Sequence, residues 1–203
     1  METKDRILEA AHELFFKYGI KSITMDDFSK HLGISKKTIY QFFENKDQIV
    51  NTLTLQLLGK RECEFDEIVN ASKNAIDEIM KMMEHMGQIF TQMNPNLFYD
   101  MQKYHPVAWK HFRDFKEECI MVKVEENLKK GIEQQLYRKD IDTKIMAKLR
   151  IEQVEMAMNP VIFPPAKFNL SIVQVALLDH FLHGITTIKG HKLINKYKQI
   201  EEE

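Results

Sequence analysis

A chain of 203 residues, 44% hydrophobic and 29% charged, is long enough to bury a core and sits between one domain and two. Seven glycines and five prolines argue against a turn-rich all-β fold, and no run of 18 apolar residues offers a membrane span. With 29 basic against 30 acidic residues the formal charge is -1, so the molecule is no general polycation and any DNA contact has to come from a local cluster. The opening METKDRILEA brings acids where a signal peptide would be apolar, and Cys63 and Cys119 form no CxxC pair. A cytoplasmic protein with reduced thiols is expected.

In chain order the pattern is helical. Ile7, Leu8, Ala11, Leu14, Phe15 and Tyr18 recur at the spacing of one helix face, with Gly19 following as a stop. SITMDDFSKHLG places Thr24 as an N-cap with Asp27 three residues on, a capping-box arrangement, and Gly33 closes that short helix. Ser35 caps the next helix, expected to run to about Phe43. Asn45 and Gln48 repeat the capping logic and open a long helix to about Val69. NAIDEIMKMMEHMGQIFTQM reads as one helix, Pro95 as a break and Leu97 to Tyr104 as a short element. Pro106 starts a helix of roughly twenty-five residues. TKIMAKLRIEQVEMAM is a further helix, and NPVIFPPAKFN, with three of the five prolines, is a loop. LSIVQVALLDHFLHGITTI is the last strong helix, before a charged tail. The expected fold is all-α, with a three-helix helix-turn-helix domain over residues 1–48 and a larger helical domain over residues 49–203.

Short helix, glycine-containing turn, short helix is the helix-turn-helix pattern, whose second helix enters the major groove. At about 100° per residue, Lys36, Lys37, Tyr40 and Gln41 fall within an arc of roughly 140°, opposite Ile39, Phe42 and Phe43. Lysine suits phosphate or guanine acceptors, glutamine pairs with adenine, and tyrosine donates to phosphate. Residues 29 to 46 carry Lys30, Lys36, Lys37 and Lys46 against Glu44 alone, a local +3 that the whole-chain balance hides. A lysine pair alone is as easily a solvated helix face. The caps on both sides and the Gly33 turn favour a reading head.

SITMDDFSKHLGISKKTIYQFFENKDQIV resembles the DNA-binding region of the TetR family of bacterial transcriptional regulators. The matching features are the cap Thr24, the turn Gly33, Ile34 and Ser35, the helix positions Thr38, Tyr40 and Phe43, and Lys46 opening the next helix. The likeness covers about the first fifty residues. Phe28 and Ser29 replace the usual aliphatic–alanine pair, which should alter packing between helices only. Phe42 replaces histidine or tyrosine and removes a polar partner near the DNA backbone. The resemblance implies phosphate contacts from Thr24, Tyr40 and Lys46, with Lys36, Lys37 and Gln41 nearest the bases and Ser35 and Thr38 in the same contact set. It also implies a homodimer on a two-fold double-stranded DNA operator, since one short helix reads too few base pairs alone.

Beyond residue 50 the likeness fades. Met80, Met82, Met83, Met86, Met93 and Met101 put half of the 12 methionines within 22 residues, with Phe90, Phe98, Tyr99, Tyr104, Trp109 and Phe112 nearby. Residue by residue this is as well explained by core packing. Together with the resemblance it points to an adaptable, mostly apolar ligand pocket. Met82, Met83, Met86, Phe90, Phe98, Trp109 and Phe112 are its candidate lining, and Tyr99, Gln102, Tyr104, His105 and His111 its polar candidates. A hydrophobic or aromatic effector follows. Leu170, Val173, Leu177, Phe181, Gly184 and Ile188 form one apolar stripe, and Leu178, Leu182 and Ile185 a second, so that helix needs partners on two sides. With IMAKLRIEQVEMAM, which contains Leu149, it resembles the four-helix dimer interface of the family.

His180 and His183 with Asp179 and His191 could share a metal, but polar residues at a dimer seam explain them as well, and no metal or cofactor is expected. No GxSxG, Walker, GxGxxG or HExxH pattern is present, so no enzyme activity is expected. The expectation is a dimeric, ligand-responsive transcriptional regulator, a repressor released by a hydrophobic small molecule. The alternative is a helical small-molecule-binding protein or enzyme whose N-terminal segment only packs. A gel shift with upstream DNA at several salt concentrations separates the two.

Overall fold

A computed structural model describes residues 2–199, and every element among them is helical. In order these are α1 (Thr3–Tyr18), α2 (Met25–Leu32), α3 (Lys36–Tyr40), α4 (Lys46–Asn70), α5 (Ala75–Gln92), α6 (Leu97–Tyr104) and α7 (Pro106–Phe115). A π turn over Lys116–Ile120 leads into α8 (Met121–Glu133), followed by α9 (Thr143–Met158), α10 (Leu170–Ile185) and α11 (Ile188–Lys198). The only extended pairing among the described residues is an isolated bridge between Tyr137 and Thr186.

The chain forms two compact units that interleave in sequence. One holds the residues up to Arg61 together with Gln92–Phe115, and the other Glu62–Thr91 and the residues from Lys116 onward. In the first unit, Ile7, Ala11 and Phe15 of α1, Phe28 of α2, Ile39 of α3 and Ile49 and Leu53 of α4 make one buried cluster, with Met101 and Ala108 behind it. Phe28 is fully buried and meets Phe15 edge-on at 5.6 Å between ring centres. In the second unit, Ile76, Leu128, Tyr137, Ala147, Leu178, Phe181, Leu182 and Ile194 make the other cluster. The inner stripe Leu178, Leu182 and Ile185 is therefore core.

Caps fix where the short helices begin and end. The Thr24 hydroxyl accepts from the Asp27 N–H while the Asp27 carboxylate accepts from the Thr24 N–H at 2.8 Å, a complete capping box. Gly33 ends α2 at φ 66°, in the left-handed region that favours glycine. Asn45 Oδ1 accepts from the Gln48 N–H at 2.9 Å as α4 begins. Asp142, Asn169 and Thr187 cap α9, α10 and α11 with their own side chains.

Candidate nucleic-acid interface and apolar cavity

α3 is only five residues long, and its caps and neighbours fix its ends. Ser35 Oγ accepts from the Thr38 N–H at 3.1 Å and lies 2.9 Å from Thr38 Oγ1, closing its N-terminus. Beyond Tyr40 the chain makes one more turn, with the Phe43 N–H donating to Ile39 O, so the helix stops short of the expected Phe43. Ile39 and Phe43 are buried in the first core, while Lys37, Tyr40, Gln41 and Phe42 face solvent, Tyr40 at 49% exposure and Phe42 at 39%. Phe42 thus stands in the open as an apolar ring beside the polar face. Ser29 does more than pack. Its hydroxyl donates to Ile34 O at 2.6 Å and braces the turn that delivers α3.

The lysines on this face are not equivalent. Lys36 Nζ sits 2.7 Å from Asp26 Oδ1 of α2, a hydrogen bond that raises its pKa. Lys37 is exposed. Lys46 turns inward, where its ammonium donates to Ile20 O at 2.5 Å and Ile23 O at 2.6 Å and lies 6.0 Å from the Phe15 ring centre. Burial pulls its pKa down, with the Asp100, Asp47 and Asp27 carboxylates opposing. Two of its three N–H donors are engaged in tying the start of α4 to the α1–α2 connection. Thr24 is exposed, with its hydroxyl shared within the capping box.

The second unit holds a partly open cavity of about 130 Å³. α5 supplies Ile79, Met82, Met83, Met86 and Phe90, and Phe65, Ile120, Val124, Ile151 and Val154 complete its apolar wall. Five polar side chains interrupt that wall: Glu78, Lys123, Asn127, Arg150 and Gln174. Glu78 is compensated, since Asn127 Nδ2 donates to it at 2.9 Å and Lys130 Nζ at 2.6 Å. Lys123 pairs with Asp66. Arg150 is 5% exposed, and Nη2 reaches only the Met83 thioether, 3.3 Å away, while Nη1 has no partner among the described residues. Burial pushes its pKa down to about 10, which leaves it charged at neutral pH. Gln174 donates to Val154 O at 3.0 Å and leaves its own buried oxygen unpaired.

Residues 7–53 match the family model described as bacterial regulatory proteins, tetR family. Over 89% of this chain and 94% of its own length, the uncharacterised HTH-type transcriptional regulator YvaF of Bacillus subtilis strain 168 is 28% identical. That N-terminal segment carries the chain's likeness to the tetR family. A TetR-family transcriptional regulator from Agrobacterium tumefaciens shares the fold, with a TM-score of 0.76, 17% identity and coverage of 91% of this chain and 97% of that one. So does SmeT in its complex with triclosan, with a TM-score of 0.69, 16% identity and 92% of each chain covered. The chain is accordingly similar to HTH-type transcriptional regulators.

The sequence-derived pocket residues divide between the two units. Met82, Met83, Met86 and Phe90 line the cavity. Phe98, Trp109 and Phe112 pack on the core of the first unit, Tyr99 and Tyr104 lie exposed there, and buried His105 has Nδ1 2.7 Å from Asp47 Oδ1. The sequence reading missed Glu78, Asn127, Arg150 and Gln174. A usable signal existed for two of them. Ala147, Arg150, Ile151 and Val154 share the inward face of α9, and Gln174, Leu178, Phe181 and Leu182 that of α10, so each polar residue sits in an apolar register. Of the proposed interface residues, Leu149, Gly184 and Ile188 are exposed, Leu170 and Leu177 partly so, and Val173 and Phe181 are buried within the chain. Ile145, Ile172 and Val175, not singled out in the sequence, add exposed apolar area at 60%, 70% and 54%. His183 Nδ1 lies 2.8 Å from Asp179 O, and its ring meets that of His191.

Proposed function

We propose that the regulator is a homodimeric repressor that binds a two-fold operator through α3 and is released by a hydrophobic small molecule held in the cavity of the second unit. Residues 1–48 read DNA, and residues 49–203 bind effector and partner subunit. The observation that carries the reading is α3 itself, capped by Ser35, anchored by Ile39 and Phe43, and presenting Lys37, Tyr40 and Gln41 outward. The apolar, methionine-rich cavity supports an effector of matching character, and SmeT, which shares the fold, forms a complex with triclosan. Release requires that the effector favour a conformation whose two reading helices no longer fit successive major grooves.

The test is a footprint and mobility shift with DNA from upstream of the regulator's own gene. A protected two-fold site is expected, with log affinity falling against log salt by roughly 0.9 per phosphate contacted. Absence of sequence-specific protection at low salt would leave the chain a small-molecule-binding bundle.

A further inference from the structure

We propose that the effector is an amphipathic organic acid whose carboxylate pairs with Arg150 while its apolar part fills the methionine-lined space. This deepens the effector-pocket reading above and rests on it. Three observations carry it. Arg150 is only 5% exposed, yet no carboxylate among the described residues accompanies it. Glu78, the acid in the same cavity, already has Asn127 and Lys130, and Lys123 already has Asp66. Nη1 lacks a partner among the described residues, and the Met83 sulfur at Nη2 is a weak acceptor that a carboxylate displaces.

A buried cation without a counter-charge destabilises a fold, and a chain retains one where a bound anion completes it. The planar fork of a guanidinium matches a carboxylate bidentately. One cation without a counter-charge, in a wall whose other charged groups are already paired, suits a monoanion rather than a phosphate dianion, which would need further donors. The unpaired Gln174 oxygen offers one more acceptor for a hydroxyl on the same ligand. The cavity of about 130 Å³ is comparable to an engineered one of about 150 Å³ that holds benzene, so a single ring or a medium alkyl chain is the apolar part that fits.

The test uses the full chain and calorimetric titration with octanoate and 4-phenylbutyrate, set against octan-1-ol and 4-phenylbutan-1-ol. The acids are expected to bind roughly tenfold to a hundredfold more tightly than the alcohols. Arg150→Met should erase that ratio while leaving alcohol binding within about threefold, and Arg150→Lys should restore part of it. Melting curves show whether each variant is folded, and removal of the uncompensated charge is expected to keep Arg150→Met at least as stable as the parent. Val154→Phe, which fills the cavity, should abolish both kinds of binding. Acids binding no better than alcohols, or an acid preference that survives in Arg150→Met, overturns the assignment of Arg150. If Val154→Phe still removes the alcohols in that case, the effector pocket stands and only the anionic anchor fails. Probes that do not bind, or that bind unaffected by Val154→Phe, overturn the anchor and the pocket reading together.

Discussion

Lys37 and Lys46 carry the same charge near the same helix, and their surroundings give them different work. Lys37 has its ammonium in solvent, whereas Lys46 donates to the carbonyls of Ile20 and Ile23 in the α1–α2 connection. Lys37→Ala, at a position placed nearest the bases, should therefore weaken operator binding and relax preference at the base pair it faces while leaving the melting temperature unchanged. Lys46→Ala should cost on the order of 1–3 kcal/mol of folding stability as well, because the two carbonyls lose a charged donor. Thermal melts beside binding titrations check both, and an unchanged melt for Lys46→Ala would return it to a phosphate role alone. Gln41→Ala should relax preference at one base pair, about 1–3 kcal/mol by competition against altered sites. The caps at Thr24 and Ser35 were legible because each needs only its own side chain and a neighbour three residues on. The partners of Lys46 were not, because they lie across the turn between α1 and α2 and no local spacing encodes them.

Two glycines show what local pattern conveys about an element and what it does not. Gly33 sits at φ 66° with open space where a Cβ would stand, so Gly33→Ala is penalised by backbone conformation alone, about 1–2 kcal/mol. Gly131 lies inside α8 with ordinary helical backbone, but a Cβ there would come within 2.0 Å of the Tyr137 ring. Tyr137 is fixed in turn, its hydroxyl 3.1 Å from Asn127 Oδ1, so Gly131→Ala has to displace a fully buried ring and should cost about 1–3 kcal/mol or more. Chemical denaturation of both variants tests the ranking, and Gly131→Ala within about 0.5 kcal/mol of the parent would show that Tyr137 moves freely. The Gly33 turn was readable from sequence, since a left-handed C-cap is a local event. The Gly131 contact was not, because it depends on how the segment after α8 folds back over it. Between these extremes stand Arg150 and Gln174, whose inward register was available in the sequence but whose lack of partners only the packed second unit displays.

At the scale of the whole molecule, the apolar side chains of α9, α10 and α11 that remain outside, Ile145, Leu149, Ile172, Val175 and Ile188, make more exposed hydrocarbon than scattered surface residues would. If a second copy covers them, Ile172→Glu should shift the sedimenting species from dimer to monomer and weaken operator binding, whereas a retained dimer would place the interface elsewhere. Acid sensitivity is the other global property the structure sets. His105 is buried with Nδ1 beside Asp47, and burial holds its pKa below the ordinary 6.5 although the carboxylate works the other way. His12 is lowered too, first by burial and then by the positive charges of Arg61 and Lys60. The folded chain therefore takes up these two protons at lower pH than the unfolded chain, so stability is complete above 6.5 and declines as pH falls through the window beneath it. Asp27 and Asp77, whose pKa values are lowered, lose their contribution only in stronger acid, below about pH 4. Urea unfolding from about pH 7.5 to about pH 5 should thus show a falling midpoint before those carboxylates titrate, and His105→Gln should flatten that fall by removing the titrating ring. A pH slope as steep in His105→Gln as in the parent would remove His105 as a cause of the acid sensitivity.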